Sequence, residues 1–171
     1  MKRLGVSVFF AATAAILAGA VLAGSSAVVA SATGSGHLRY FDENEQREGL
    51  RTFSFSARLH ADGTADGQAE INNRAQDLKQ HVVIDCLRVD GNLARVGGVI
   101  KRASVSAFEG KRMLFVVQDN GEPGKGPPAD RFSFLFRQGD PGVTATDLNC
   151  KQSTRAPGRE IEHGNIQVRG R

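Results

Sequence analysis

Apolar and polar residues alternate in short runs along much of the chain, a pattern typical of β-strands with one buried face. Residues 52–59 show it most clearly, and residues 112–118 and 131–137 repeat it. No long stretch has the apolar period of a helix. We therefore predict that the following rings face inward: Phe53, Phe55, Phe115, Phe132, Phe134 and Phe136.

Turn-forming residues separate these runs. Asp-Gly at 62–63 and Asp-Gly-Asn at 90–92 are hairpin signals, and residues 119–128 form a longer turn segment. With further strands near 37–41 and 165–169, this pattern predicts about eight strands joined by short turns. The predicted fold class is all-β, an antiparallel up-and-down meander closing into a small barrel, because closure removes exposed edges. A two-sheet β-sandwich is the alternative.

The run at 81–89 breaks its own alternation. In a regular strand, Ile84 and Cys86 would lie on one face and Leu87, which is also apolar, on the opposite face. This change predicts either a β-bulge or a second buried face. The Gly-Gly pair at 97–98 predicts a sharp bend in the strand that follows.

The amino terminus has the order of features found in secretory signal peptides. Lys2 and Arg3 precede an apolar run at 4–23, and small residues then offer cleavage after Ala23 or Ala32. An uncleaved membrane anchor is the competing interpretation, but the run is rich in Ala and Gly and leads directly into a cleavage pattern. We predict a signal peptide over residues 1–32, a single β-barrel domain over residues 33–171, and a secreted, extracellular protein.

The predicted signal peptide carries part of the net positive charge of the chain. The chain has 22 basic and 18 acidic residues and a net charge of +4. Cleavage removes Lys2 and Arg3 but no acidic residue, which leaves a net charge of +2. The remaining arginines are scattered rather than gathered in a basic stripe, which argues against nucleic acid as a partner. We expect a monomer without stable membrane insertion after cleavage.

Two cysteines, Cys86 and Cys150, remain in the predicted domain. An even count in an oxidising compartment favours a disulfide over two free thiols. A disulfide between Cys86 and Cys150 would close the loop between these two positions. By chain-entropy reasoning, closing a loop of this length would contribute roughly 4 kcal/mol of stability. Neither cysteine lies in a recognisable nucleophile motif.

Several strings, in their order and spacing, resemble a family of small exported bacterial proteins called post-COAP domains. The most specific are Asp-Asn-Gly-Glu-Pro-Gly at 119–124 and Gly-Asn-Ile-Gln-Val at 164–168. The others lie at 51–58, 60–64, 67–69, 84–87, 90–92, 96–99, 116–118 and 130–133. The resemblance covers the mature chain and implies a secreted β-rich domain. It supplies no catalytic residues.

One turn is the candidate site. Asp119, Asn120 and Glu122 provide oxygen donors that could hold calcium or another ligand, although Asn-Gly and Pro-Gly also explain the turn on backbone grounds alone. Around the turn at 60–66, a plain Asp-Gly hairpin is favoured over a metal site. The histidines show no ligand spacing: His37, His60, His81 and His163. We therefore predict no metal, no cofactor and no catalytic residue.

The resulting function hypothesis is a secreted, non-enzymatic β-barrel module that binds an extracellular ligand or surface component of unknown identity. A lipocalin-like carrier of a small apolar molecule is the first alternative, and it requires a hollow interior. A barrel enzyme of the cyclase or isomerase type is the second, and it requires an inward ionisable group such as Tyr40 or Asp85. Because Asp85 alternates with Ile84 and Cys86, we predict that Asp85 faces outward, which weighs against the enzyme hypothesis.

Overall fold

The computed structural model describes residues 26–42, 46–122 and 128–170. The described residues form ten strands: β1 (Val28–Asp42), β2 (Arg47–His60), β3 (Ala65–Asn73), β4 (Leu78–Asp90), β5 (Leu93–Ala103), β6 (Arg112–Gln118), β7 (Arg131–Phe132), β8 (Phe136–Arg137), β9 (Arg159–Glu160) and β10 (His163–Arg169). Short 3₁₀ turns occur at Arg74–Gln76 and Ser106–Phe108.

All ten strands belong to one antiparallel sheet, which curls strongly into a half-barrel. The strands follow one another as an up-and-down meander from β1 to β7, with β10 added beside β1, β9 beside β7, and β8 on β6. The predicted all-β meander is therefore confirmed. The single sheet excludes the two-sheet alternative for the described residues.

Four phenylalanine rings fill the interior of the curled sheet. Phe132 stacks on Phe53 and Phe115, with ring centroids 4.4 Å and 5.1 Å apart, and Phe55 meets Phe115 edge-on at 5.4 Å. Each ring is at most 6% exposed. Aromatic pairs in these geometries contribute beyond the area that they bury. This confirms the inward placement predicted for four of the six phenylalanines.

The inward placement predicted for Phe134 and Phe136 is wrong. The run at 131–137 is not one strand, because Ser133 interrupts it: its hydroxyl donates to the Phe134 carbonyl and accepts from the Val116 amide. The interruption shifts the alternation, so Leu135 joins the interior and Phe134 is 53% exposed. Phe136 packs on the outer face of the sheet instead.

A β-bulge in β4 confirms the parity change expected near Cys86. The register with β5 shifts between Ile84 and Cys86, so Ile84 and Leu87 both face the interior while Cys86 faces outward. Gly98 lies opposite the bulge, and a Cβ there would collide with the Val83 carbonyl oxygen. The glycine therefore allows β4 and β5 to approach at this point.

The outward-facing Cys86 is joined to Cys150 by the predicted disulfide, with Cα atoms 6.0 Å apart. The irregular segment around Cys150 covers the outer face of β6, where Leu114 and Val116 pack against Leu148. Strand β6 is consequently buried on both faces. A small apolar cluster outside the barrel thus anchors the cover, and the disulfide restrains it.

The two ends of the curled sheet meet where β10 passes the β6–β7 connection, and side-chain carboxylates join them there. Asp130 accepts hydrogen bonds from the Ile166 amide at 2.7 Å and the Asn120 amide at 2.8 Å. Asp119 accepts one from the Val168 amide at 2.9 Å. These carboxylates occupy the place that a neighbouring strand would take. We call this junction the carboxylate seam.

Replacing Asp130 with Ala leaves the amides of Ile166 and Asn120 without their acceptor. Since an unsatisfied buried amide costs about 1–3 kcal/mol, we expect Asp130→Ala to lower the free energy of unfolding by roughly 3 kcal/mol. Urea denaturation measures this change. Exposed Glu160 offers a control: Glu160→Ala should stay within about 0.5 kcal/mol of wild type, and equal stability of the two variants would contradict the seam.

The folded domain begins before the predicted boundary at residue 33, because β1 begins at Val28. Ala32 is fully buried, and its strand pairs with β2 on one side and β10 on the other. Just ahead of β1, the Ser26 carbonyl oxygen lies 2.9 Å from the His60 ring nitrogen Nδ1. The predicted apolar signal core, residues 4–23, lies outside the described residues.

These contacts favour one of the two predicted cleavage positions. Cleavage after Ala32 would remove the first five residues of β1, from Val28 onward, together with a buried side chain. If the predicted signal peptide is removed, we therefore expect the mature chain to begin at Gly24, after cleavage at Ala23. Intact-mass measurement of the exported protein checks this, and a chain that begins at Thr33 would contradict it.

Candidate functional site

Strands β3 and β4 separate along half of β4, and this opening forms a concave site on the outer wall. Their pairing runs from Asn73 opposite Leu78 to Gly67 opposite Ile84. Beyond Ile84, β4 continues to Asp90, but no described strand pairs with it on that side. The sheet therefore has an unpaired edge in its middle.

Gly67 permits the divergence. Its φ of 145° is disfavoured for residues with a side chain, and a Cβ there would collide with the Ser56 carbonyl oxygen on β2. The absence of a side chain at Gly67 thus allows the end of β3 to approach β2 closely. On the other side of the opening, the bulge at Asp85 turns β4 away.

The free edge presents backbone hydrogen-bonding groups. Asp90 and Leu93 flank a two-residue turn, so they form a hydrogen-bonded pair of the β4–β5 ladder. Alternation along an antiparallel ladder then directs the amide and carbonyl groups of Leu87 and Val89 toward the side that β3 has left. Leu87 is buried and Val89 is half-buried, and both lie on an unpaired strand edge, which is a template for another extended chain.

A groove of about 810 Å³ lies along this opening. One wall is the β2–β3 hairpin end, with Leu59 and Ala65, and Leu87 of β4 lies between the walls. The other wall is the disulfide-restrained cover, with Val143 and Leu148. Apolar side chains therefore line both walls of an open groove.

Charged groups also line the groove. Arg112 of β6 makes a bidentate ion pair with Asp85 of β4, with nitrogen–oxygen distances of 2.6 Å and 2.9 Å. Hydrogen bonding to Asp85 raises the pKa of Arg112. Asp85 faces outward, as its parity predicts, and its carboxylate is paired with Arg112. Lys151 also lines the groove and adds a positive charge.

The cover is held in shape by a network centred on Asp147. Arg155 donates two hydrogen bonds to that carboxylate, at 2.8 Å and 3.0 Å, and Thr144 donates two more through its amide and hydroxyl. The Arg155 bonds, followed by those from Thr144, hold the pKa of Asp147 well below its usual range. The Arg155 guanidinium also lies over the Phe136 ring, 4.6 Å from its centroid. This wall of the groove is therefore preorganised.

The predicted ligand turn lies elsewhere, at the carboxylate seam. Asp119 accepts hydrogen bonds from the Val168 and Gly121 amides, and the Asn120 side chain donates to the Ala129 carbonyl. Glu122 is exposed, and residues 123–127 lie outside the described part. Two of the three residues thus have a structural role, while a ligand or calcium role for the turn stays a prediction.

The hairpin at 60–66 also engages its own polar groups. Asp66 binds Arg58 and His60, and Asp62 accepts from Thr64. Contacts of the His60 ring with the Ser26 carbonyl oxygen and with Asp66 raise the pKa of His60. Hydrogen bonds from Arg58 and His60 lower the pKa of Asp66, and those from Thr64 lower that of Asp62. These contacts attach the start of β1 to the hairpin.

One arrangement escaped the sequence analysis. His37 of β1 and His163 of β10 are directly opposite each other, with ring centroids 5.0 Å apart. Local ligand spacing cannot reveal the pair, because the two residues come from opposite ends of the domain. Within the described residues, no group of three or more His, Cys, Asp or Glu residues is arranged to hold a metal ion.

No protein-family model, curated protein or solved structure matches the chain. The resemblance to post-COAP domains therefore stays a prediction. Among residues 26–42, 46–122 and 128–170, no helix has the length and apolar character needed to cross a bilayer.

Proposed function

We propose that the chain is a secreted, non-enzymatic binding module that takes an extended peptide segment into the groove along the free edge of β4. The observation that carries this proposal is the loss of pairing beyond Gly67 and Ile84 beside a groove with apolar walls. In β-strand addition, main-chain hydrogen bonds supply affinity and pockets for alternate side chains supply specificity. The opening offers both components.

The chemistry of the groove supports a peptide over a purely apolar ligand. The backbone groups of Leu87 and Val89 can pair with a peptide main chain. Leu59 and Val143 on opposite walls can receive apolar side chains, while Lys151 suits an acidic side chain or a carboxylate. The disulfide of Cys86, which itself lines the groove, limits the motion of one wall and so reduces the ordering cost of binding.

A carrier function has one observation in its favour. The groove volume of about 810 Å³ falls within the range usual for small-molecule sites. The Phe53, Phe115 and Phe132 rings fill the interior where a lipocalin-like ligand would lie, so a small apolar molecule would have to use the same wall groove. The two hypotheses therefore share a site and differ in the ligand class.

The test uses the exported protein and a library of random linear peptides. We expect enriched peptides to bind in the groove and to shift the NMR amide signals of Leu87 and Val89. Ala145 lines the groove, so Ala145→Trp should fill it and weaken the affinity by about tenfold or more, a free-energy loss of at least 1.4 kcal/mol.

Thr146 supplies a matched control, since this exposed neighbour does not line the groove and Thr146→Trp should bind peptides like wild type. If no peptide is enriched, or if Ala145→Trp binds peptides as tightly as the control, the peptide proposal is wrong. Displacement of a fluorescent apolar dye from the groove without any peptide binding would instead support the carrier.

A further inference from the structure

The pairing of β1 with β10 brings His37 and His163 together at directly opposite positions. Side chains at opposite positions of an antiparallel pair project from the same face, with Cβ atoms about 4.5–5.5 Å apart. The two imidazole rings are in contact, with centroids 5.0 Å apart and planes inclined by 42°. Two imidazole rings are thus placed side by side on one face of the sheet.

Both histidines stand on a constrained backbone. His37 and its neighbour Gly36 lie inside β1, which is paired on both sides. A Cβ on Gly36 would collide with the His163 carbonyl oxygen, so the glycine permits the close approach of the strands. The Glu162 amide also donates to the His37 carbonyl at 2.9 Å. The positions of the rings are therefore set by the sheet rather than by a loop.

A carboxylate lies beside the pair. Glu162 Oε2 is 3.9 Å from His37 Nε2 and 3.5 Å from Arg39 Nε. The His37 and Glu162 side chains are 33% and 40% exposed, so dissolved ions can reach them. This carboxylate, which His37 shares with Arg39, places negative charge next to the His37 imidazole, and this favours a cation at this position.

We propose that His37 and His163 form a binding site for a divalent transition-metal ion, with Glu162 as the neighbouring negative group. Imidazole nitrogens suit Zn²⁺, Ni²⁺ and Cu²⁺, and a tetrahedral ion bound to two of them holds the nitrogens about 3.3 Å apart. Because the two rings are already in contact on one face of the sheet, rotation about the side-chain torsions can bring one nitrogen of each ring to this spacing. Water completes the coordination, which makes the site open and its affinity moderate.

The other two described histidines differ from this pair. His60 contacts Asp66 and the Ser26 carbonyl, and His81 contacts Glu70 at 2.5 Å. Each is engaged with a carboxylate, and in the described part of the chain neither ring contacts another histidine. His81 therefore provides a control for non-specific binding to a surface imidazole beside an acidic residue.

The experiment uses exported protein without an affinity tag, first stripped of metal with a chelator. Calorimetric titrations with Zn²⁺, Ni²⁺ and Cu²⁺ should each show one ion per chain, with Cu²⁺ bound most tightly. Either His37→Gln or His163→Gln should weaken binding by on the order of tenfold or more, because a chelating pair becomes a single ligand. His81→Gln should bind like wild type.

Stability supplies a second readout, because an ion that bridges β1 and β10 stabilises the folded state. Zn²⁺ should raise the melting temperature of wild type and of His81→Gln but not that of His163→Gln. Metal-free His163→Gln should melt like metal-free wild type, since this side chain is exposed. Absence of saturable binding, or equal affinity in His163→Gln and wild type, would overturn the proposal.

Discussion

The fold depends on the way two aspartates join the ends of one sheet. A curled sheet that stops short of a hydrogen-bonded barrel leaves two strand edges with unpaired amides. On β10, the amides of Ile166 and Val168 have no strand partner on this side. The carboxylates of Asp130 and Asp119 accept hydrogen bonds from them. Two side chains thereby supply the acceptors of a missing strand, and the sheet can enclose its phenylalanine core.

The closed edge at β10 contrasts with the edge of β4, which has no strand partner beyond Ile84. Gly67 draws β3 toward β2 while the bulge beside Ile84 turns β4 outward, and the gap between them has no carboxylate bridge among the described residues. The disulfide-restrained cover bounds this gap without pairing with it. The molecule thus combines an edge that carboxylates close, which serves stability, with an unpaired edge to which we assign binding.

Strand alternation predicted most of this fold, because inward and outward residues differ in polarity wherever one face of a strand is buried. The rings of Phe53 and Phe55 follow that rule. It failed at Phe134, where the Ser133 hydroxyl replaces strand hydrogen bonds and shifts the alternation. The start of β1 was also missed, because the small residues of a cleavage region resemble those of a close-packed strand such as Ala32.

The sites were harder to predict than the fold, since each depends on contacts between distant residues. Asp119 was selected as a turn residue with oxygen donors, but its partner Val168 becomes visible only once β10 is placed. The His37–His163 pair likewise depends on the register of β1 with β10. The groove arises from the absence of pairing beyond Ile84, and no local sequence pattern encodes such an absence.

Amide hydrogen exchange, resolved by residue, tests the contrast between the two edges most directly. The account predicts slow exchange at Ile166 and Val168, whose amides donate to buried or partly buried carboxylates. It predicts fast exchange at Leu87 and Val89 on the free edge of β4, beside protected Arg88 in the β4–β5 ladder. Fast exchange at Ile166 and Val168, or protection of Leu87 and Val89 equal to that of Arg88, would contradict it.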